Sequence, residues 1–148
     1  MEPTTERDGL CFCCGKDNPR GIHLEFEYPS PGEATSSLLV PDWFAGWKGI
    51  THGGFLSMLL DEVMAHACLG LVGGIVAGSD EAPGAVTGDI TVRFKKPVPT
   101  GSRVRIQAKV AEVKGRMLLT EGRVELEGGV IAAEGTARFV RTGPSRAR

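Results

Sequence analysis

The chain of 148 residues reads as an α+β domain in which one long apolar helix is covered by an antiparallel sheet. Three observations predict this. Only the segment from about Gly53 to Leu69 carries strong helical apolar spacing. The segments on either side alternate apolar and polar residues with the period of a strand. Short turns join the last three of those segments, and short turns make antiparallel neighbours.

Residues 1–9 are polar and form an expected disordered tail, matched by a second at 142–148, which leaves residues 10–141 as one domain. After a turn-rich stretch, Gly15–Gly21, the residues Ile22, Leu24, Phe26 and Tyr28 alternate with His23, Glu25 and Glu27 as a first strand. Pro29–Gly32 turns the chain into a second strand, Ala34–Val40, so the two are expected to form a hairpin. Pro41–Phe44 begins a short irregular or one-turn helical piece carrying Trp43 and Phe44, with Trp47 close behind.

In the long helix Leu56, Leu60, Val63 and Ala67 make one stripe, and Phe55, Met58, Leu59 and Met64 make the other faces apolar too. A helix apolar nearly all round belongs inside a core, so the sheet must curl about it. Gly70–Gly84 reads as a glycine-rich loop. Four strand patterns follow: Ile90, Val92, Phe94; then, after Pro97–Gly101, Val104, Ile106, Ala108, Val110; then Leu118–Leu126; then Ile131–Phe139. Turns at Lys114–Arg116 and Glu127–Gly129 separate the last three. The total is about six strands.

Composition narrows the function classes. An apolar fraction of 41% with 24% charged residues suits a soluble globular core, and the net charge of −1 supplies no field for nucleic acid or an anionic membrane. No apolar run approaches the roughly 20 residues of a membrane span, and the N-terminus lacks a signal-peptide layout, so a cytoplasmic protein is expected. Three of the four cysteines crowd together as Cys11, Cys13 and Cys14. Cys11 and Cys14 have C-x-x-C spacing, and His23 would make a third ligand, but no further pair closes a tetrahedron. Reduced structural thiols and no bound metal are the expectation, with metal binding by Cys11 and Cys14 left open.

The chemistry concentrates at the start of the helix. His52 and the pair Gly53-Gly54 precede the apolar stretch, and Asp61 and Glu62 lie within it. Backbone N–H groups at a helix start attract developing negative charge, and glycine lets a carbonyl approach without a Cβ in the way. A carboxylate on a core helix needs a partner or a task. Glu62 points about 100° from Asp61 and suits a structural partner, as His66 suits a core or interface histidine. His52 is either a structural corner residue or a participant. Gly53 and Asp61 are eight residues apart, about 12 Å along a helix, so they cannot act on one carbonyl from the same chain. A second copy completing the site is the economical solution.

With this order of elements, the motif His52-Gly53-Gly54, Asp61 nine residues after the histidine, Val86-Thr87 and the run Phe94–Gly101, the chain resembles the PaaI-like acyl-CoA thioesterases of hotdog fold, in the 4-hydroxybenzoyl-CoA thioesterase superfamily. Some relatives share the start Cys11-Phe-Cys-Cys-Gly-Lys-Asp-Asn-Pro-Arg-Gly21. The resemblance implies hydrolysis of an acyl-CoA thioester. Asp61 would be general base or nucleophile, the Gly53 N–H would polarise the carbonyl, His52 would orient the thioester or the acid, and Thr87 would help hold the attacking water. It further implies substrate binding by Gly54, by Phe94, Lys95, Lys96 and Pro97, and by the turn Lys114, Gly115 and Arg116. A homodimer or dimer of dimers would share the site, coenzyme A would enter only as part of the substrate, and no other cofactor would be needed. Many relatives carry a polar residue six positions before the histidine, where this chain has Gly46. That departure keeps a second expectation alive, a non-catalytic acyl-CoA-binding or regulatory module on the same fold.

Overall fold

The computed structural model describes residues 9–71 and 84–141. The expected tails at 1–9 and 142–148 and the expected loop at 70–84 lie almost wholly outside these residues. Along the chain come β1 (Glu33–Leu39), a 3-10 turn (Asp42–Phe44), β2 (Ala45–Trp47), β3 (Ile50–Thr51), α1 (Gly53–Leu71), β4 (Ala85–Phe94), β5 (Arg103–Lys114), β6 (Met117–Leu126), a second 3-10 turn (Glu127–Gly129) and β7 (Val130–Arg141). Five strands form one antiparallel sheet in the order β1-β5-β6-β7-β4, and β2 with β3 makes a separate small hairpin.

The α+β class holds, with one helix against one sheet, but the first expected strand does not form. Between Ile22 and Tyr28 only a single bridge, Glu27 to Thr35, joins the segment to β1. Its backbone is committed elsewhere: the N–H groups of Ile22 and Leu24 donate to Phe12 and Cys13 carbonyls at 2.9 and 2.8 Å, and the Ser36 hydroxyl donates to the Glu25 carbonyl at 2.7 Å. His23 adopts φ of 52°, which no strand residue uses. The alternation that mimicked a strand is still visible in burial, with Leu24 inward and Glu25 and Glu27 outward. The two short strands β2 and β3 were not legible from periodicity, because three and two residues are too few to show one.

At 19 residues and a mean hydropathy of 1.3, α1 has the length and composition of a membrane span, contrary to the sequence reading. Its apolar faces are covered by the sheet instead: Leu59, Leu60, Val63, Met64 and Ala67 have no exposed surface. Inward residues of the strands, among them Val104, Ile106, Leu118, Val124 and Phe139, close the other side of the core. The approach is tight at one point. Gly122 of β6 pairs with Gly135 of β7, and a Cβ on either would lie 3.2–3.4 Å from Leu60 and Met64 side-chain atoms. The bare backbone of two adjacent strands is what lets the middle of α1 sit against the sheet.

Two outcomes follow from this packing. Gly135→Val puts branched atoms where Leu60 and Met64 already are, and overpacking of this kind costs roughly 1–3 kcal/mol, read as a lower urea midpoint. Burial also pushes the Cys68 thiol from 9.0 up to about 12. The unfolded chain then loses that proton before the folded chain does, so the stability contributed by the neutral thiol is complete below pH 9.0 and is lost as pH rises towards about 12. In Cys68→Ala the fall of the urea midpoint over that alkaline range is shallower than in the wild type.

Candidate functional site

The helix start is built by hydrogen bonds that use all but one of its first donors. The carbonyl of His52 accepts from the N–H groups of Phe55 (3.0 Å) and Leu56 (3.3 Å), and the His52 ring Nδ1 accepts from the Gly54 N–H at 2.8 Å. The N–H of His52 itself donates to the Phe44 carbonyl at 2.8 Å, and Phe44 stacks on Phe55 with ring centres 4.1 Å apart. Among the described residues no acceptor meets the Gly53 N–H, which leaves it for a ligand. Because a backbone N–H can only donate, Nδ1 must be unprotonated, and the neutral ring then presents a proton on Nε2. A Cβ on Gly54 would lie 2.9 Å from that Nδ1, so the second glycine is needed for the ring to cap the helix.

The segment after β4 lies against this corner. The Thr51 N–H donates to the Val98 carbonyl at 2.8 Å, Ile50 bridges to Pro99, and the Thr100 N–H donates to the Gly49 carbonyl at 3.0 Å. The Phe94 ring lies over Gly53, where a Cβ would approach it to 3.2 Å. Val98 is fully buried while Lys95, Lys96 and Pro97 face outward. Gly46 packs on His52, with a hypothetical Cβ 3.2 Å from the ring, so the missing polar side chain is missing from the histidine's immediate surroundings.

Asp61 is half-buried on α1 and faces β4, where the Thr87 hydroxyl donates to its Oδ1 at 2.7 Å. Thr87 owes its aim to a bulge: the register of β4 against β7 slips between Thr87 and Asp89, leaving Gly88 as the extra residue. A lone glycine in a strand is the sequence signal for such a bulge, and it went unread in the pattern of β4. Glu62 turns away from Asp61. Its carboxylate accepts from His66 Nε2 at 3.2 Å, while the far side of His66 meets the Tyr28 hydroxyl at 2.7 Å and the ring stacks on Phe26 at 3.5 Å. Glu62 thus has the structural partner expected for it, and His66 is a core histidine.

The structure separates other expected partners. His23 places its Nε2 on the Asn18 carbonyl at 2.6 Å and does not join Cys11 and Cys14. Across the sheet, Val86 lies beside Val140 and Met117, whereas Phe94 lies beside Ala133 and Val124. The turn of Lys114, Gly115 and Arg116 therefore sits at one end of the sheet and the Phe94–Pro97 segment at the other. Two of the cations are already in surface ion pairs, Lys95 with Glu134 at 3.0 Å and Lys114 with Glu112 at 3.5 Å. Arg116 donates to the Arg141 carbonyl at 3.3 Å. Trp43 and Trp47 are not core residues, being 81% and 83% exposed. A groove of about 890 Å³ crosses the outer face of the sheet along Thr91, Arg105, Gln107 and Thr136 and contains none of the candidate catalytic groups.

The family described as the Thioesterase superfamily matches residues 48–133, more than half of the chain. The chain is similar to the acyl-coenzyme A thioesterase THEM4 of Xenopus laevis, with 28% identity over 103 residues, 69% of this chain and 42% of that protein. It spans about two fifths of the length of the curated relatives it matches. Among solved structures it is similar to a mutant of the phenylacetic acid degradation protein PaaI from Thermus thermophilus, at 26% identity and a TM-score of 0.66, covering 80% of this chain and 93% of that one. A hypothetical thioesterase from Streptococcus pneumoniae, solved with coenzyme A, shares the fold at 17% identity and a TM-score of 0.70, covering 81% and 86%.

Gly54→Ala tests the corner. With a methyl group against Nδ1 the ring must leave its cap, and ¹⁵N spectra of His52 lose the single neutral tautomer that the wild type shows. The lost cap costs about 1 kcal/mol of stability.

Proposed function

The chain belongs to the thioesterase superfamily, and we propose that it hydrolyses an acyl-CoA thioester at a site shared by two copies. The observation that carries this reading is the bond from Thr87 to Asp61, which holds one carboxylate oxygen and leaves the other to take a proton from water or to attack the carbonyl. The Gly53 N–H, at the positive end of α1, receives the oxyanion, with the Nε2–H of His52 beside it as a second donor.

The edge strand explains how the halves meet. β4 is ten residues long, lies at the margin of the sheet, and exposes Val86 and Phe94 to 55% each. A long open edge of this kind invites pairing. Antiparallel pairing of two β4 strands centred on Thr91, with Gly88 bulged out, sets Thr87 of one copy opposite Phe94 of the other. Asp61 follows Thr87 and Gly53 lies under Phe94, so each acid arrives beside the other copy's helix start. The same pairing brings the turn of Lys114 and Arg116 towards the end where the other copy's Lys95 and Lys96 lie, as a cradle for the CoA phosphates. Trp43 and Trp47, exposed in one chain, gain a surface to cover.

Asp61→Asn lowers kcat on a panel of short, long and aromatic acyl-CoAs by about 10²–10⁴-fold with the fold retained. Thr87→Val loses a hydrogen bond to a charged group, about 1.5–3 kcal/mol, or one to two decades in kcat/KM. Mixing Asp61→Asn with Gly53→Val, each inactive alone, restores about a quarter of wild-type turnover, because half of the random dimers carry one intact site. No recovery on mixing sinks the shared site. Gly46 beside His52 favours the second reading, an acyl-CoA-binding module, whose signature is saturable binding without turnover of any substrate in the panel.

A further inference from the structure

We propose that Cys11, Cys14 and Glu62 form a zinc site that ties the N-terminal loop to the central helix. The two sulfurs and a Glu62 oxygen lie within 4.8 Å of one another, and all three residues are half-buried. In a tetrahedral zinc site with bonds of about 2.3 Å to sulfur, neighbouring sulfurs are about 3.8 Å apart, so closing on the ion takes shifts of an ångström or less. Both cysteines are free thiols. Three protein ligands with an open side leave the fourth position to water.

The surroundings are those of a cation site rather than of idle thiols. Glu62 is oriented from behind by a relay, Tyr28 to His66 to Glu62, at 2.7 and 3.2 Å. His66 must donate from Nε2, since the carboxylate only accepts, and such outer partners fix metal-ligating groups. Cys14 lies beside both Cys11 and the Glu62 carboxylate, and a divalent cation among them would favour the thiolates.

The loop is also built to hold its shape. The Gly15 N–H closes on the Cys11 carbonyl at 2.8 Å, and a Cβ on Gly15 would fall 2.2 Å from the Gly9 carbonyl oxygen, so only glycine fits directly after Cys14. Asp17 N–H to the Gly9 carbonyl at 2.9 Å and Asn18 Nδ2 to the Leu10 carbonyl at 2.9 Å fasten the rest. Binding of Zn²⁺ displaces one proton from each thiol to solvent, with no change of oxidation state. Since Glu62 adjoins Asp61, the bound ion steadies the turn of α1 that carries the acid, independently of what substrate the chain takes.

The test is Co²⁺ uptake by the full chain, purified under reducing conditions and stripped with a chelator. One equivalent of Co²⁺ should bind with thiolate-to-cobalt charge-transfer absorption, release two protons, and be displaced by Zn²⁺. Cys14→Ser should abolish the absorption, Glu62→Gln should weaken uptake at least about tenfold, and His66→Gln should weaken it about 10–100-fold. Cys68→Ser, which leaves all three ligands in place, should bind as the wild type does. If Cys14→Ser fails to fold, wild-type stoichiometry and Glu62→Gln decide. Absence of the absorption in the reduced wild type, unchanged uptake in Glu62→Gln, or a Cys11–Cys14 disulfide that persists in reductant overturns the proposal.

Discussion

Burial of a helix that is apolar over most of its surface governs this fold. A helix with one apolar stripe rests on a sheet, but α1 buries Phe55, Leu56, Leu59, Leu60, Val63 and Met64 across about half its circumference and Cys68 and Leu69 on the other half. Five antiparallel strands bend about it, and the loop before β1 covers part of what remains through Cys13 and Leu24. The Gly122 and Gly135 pair sets the closest approach of helix and sheet. Where neighbours press this closely, the direction of every side chain on α1 is decided by the helix's rotation, and polar residues survive only at the seams.

Asp61 and Glu62 occupy two such seams. Adjacent in sequence and about 100° apart, they cannot share an environment. Asp61 looks to the open edge of the sheet, where the β4 bulge presents Thr87. Glu62 looks to the N-terminal loop, where Cys14 meets it, and His66 one turn further along α1 holds it in place. One carboxylate thus ends beside a surface able to receive substrate or a second copy, and its neighbour is locked into the architecture. The same helix start carries a donor left unpaired among the described residues while the donors beside it are satisfied, a local arrangement suited to an oxyanion.

The edge strand joins the fold to the proposed chemistry. In β5 most exposed residues are charged, whereas β4 exposes Val86 and Phe94 at a margin whose outer side has no strand partner among the described residues. At the other margin Glu27 bridges to β1. The asymmetry between the two edges makes β4 the side on which a second copy would add its sheet.

Local pattern in the chain was enough to establish the class of fold, the approximate course of the long strands, the helix from Gly53, and the residues His52, Gly53 and Asp61 as candidates, while Thr87 came from the family resemblance. Each of these rests on periodicity, on the local chemistry of a helix start or on a motif, and all are properties of neighbouring residues. The segment from Ile22 to Tyr28 shows where that ends: its alternation was real, yet its backbone bonds went to the turn at Phe12 and Cys13. That Thr87 reaches Asp61, that Phe94 covers Gly53, that His23 leaves the cysteines and that Glu62 joins them emerged only once the chain was folded. Those contacts link residues from 5 to 51 positions apart through sheet register, a bulge and the rotation of one helix, none of which is written in local spacing.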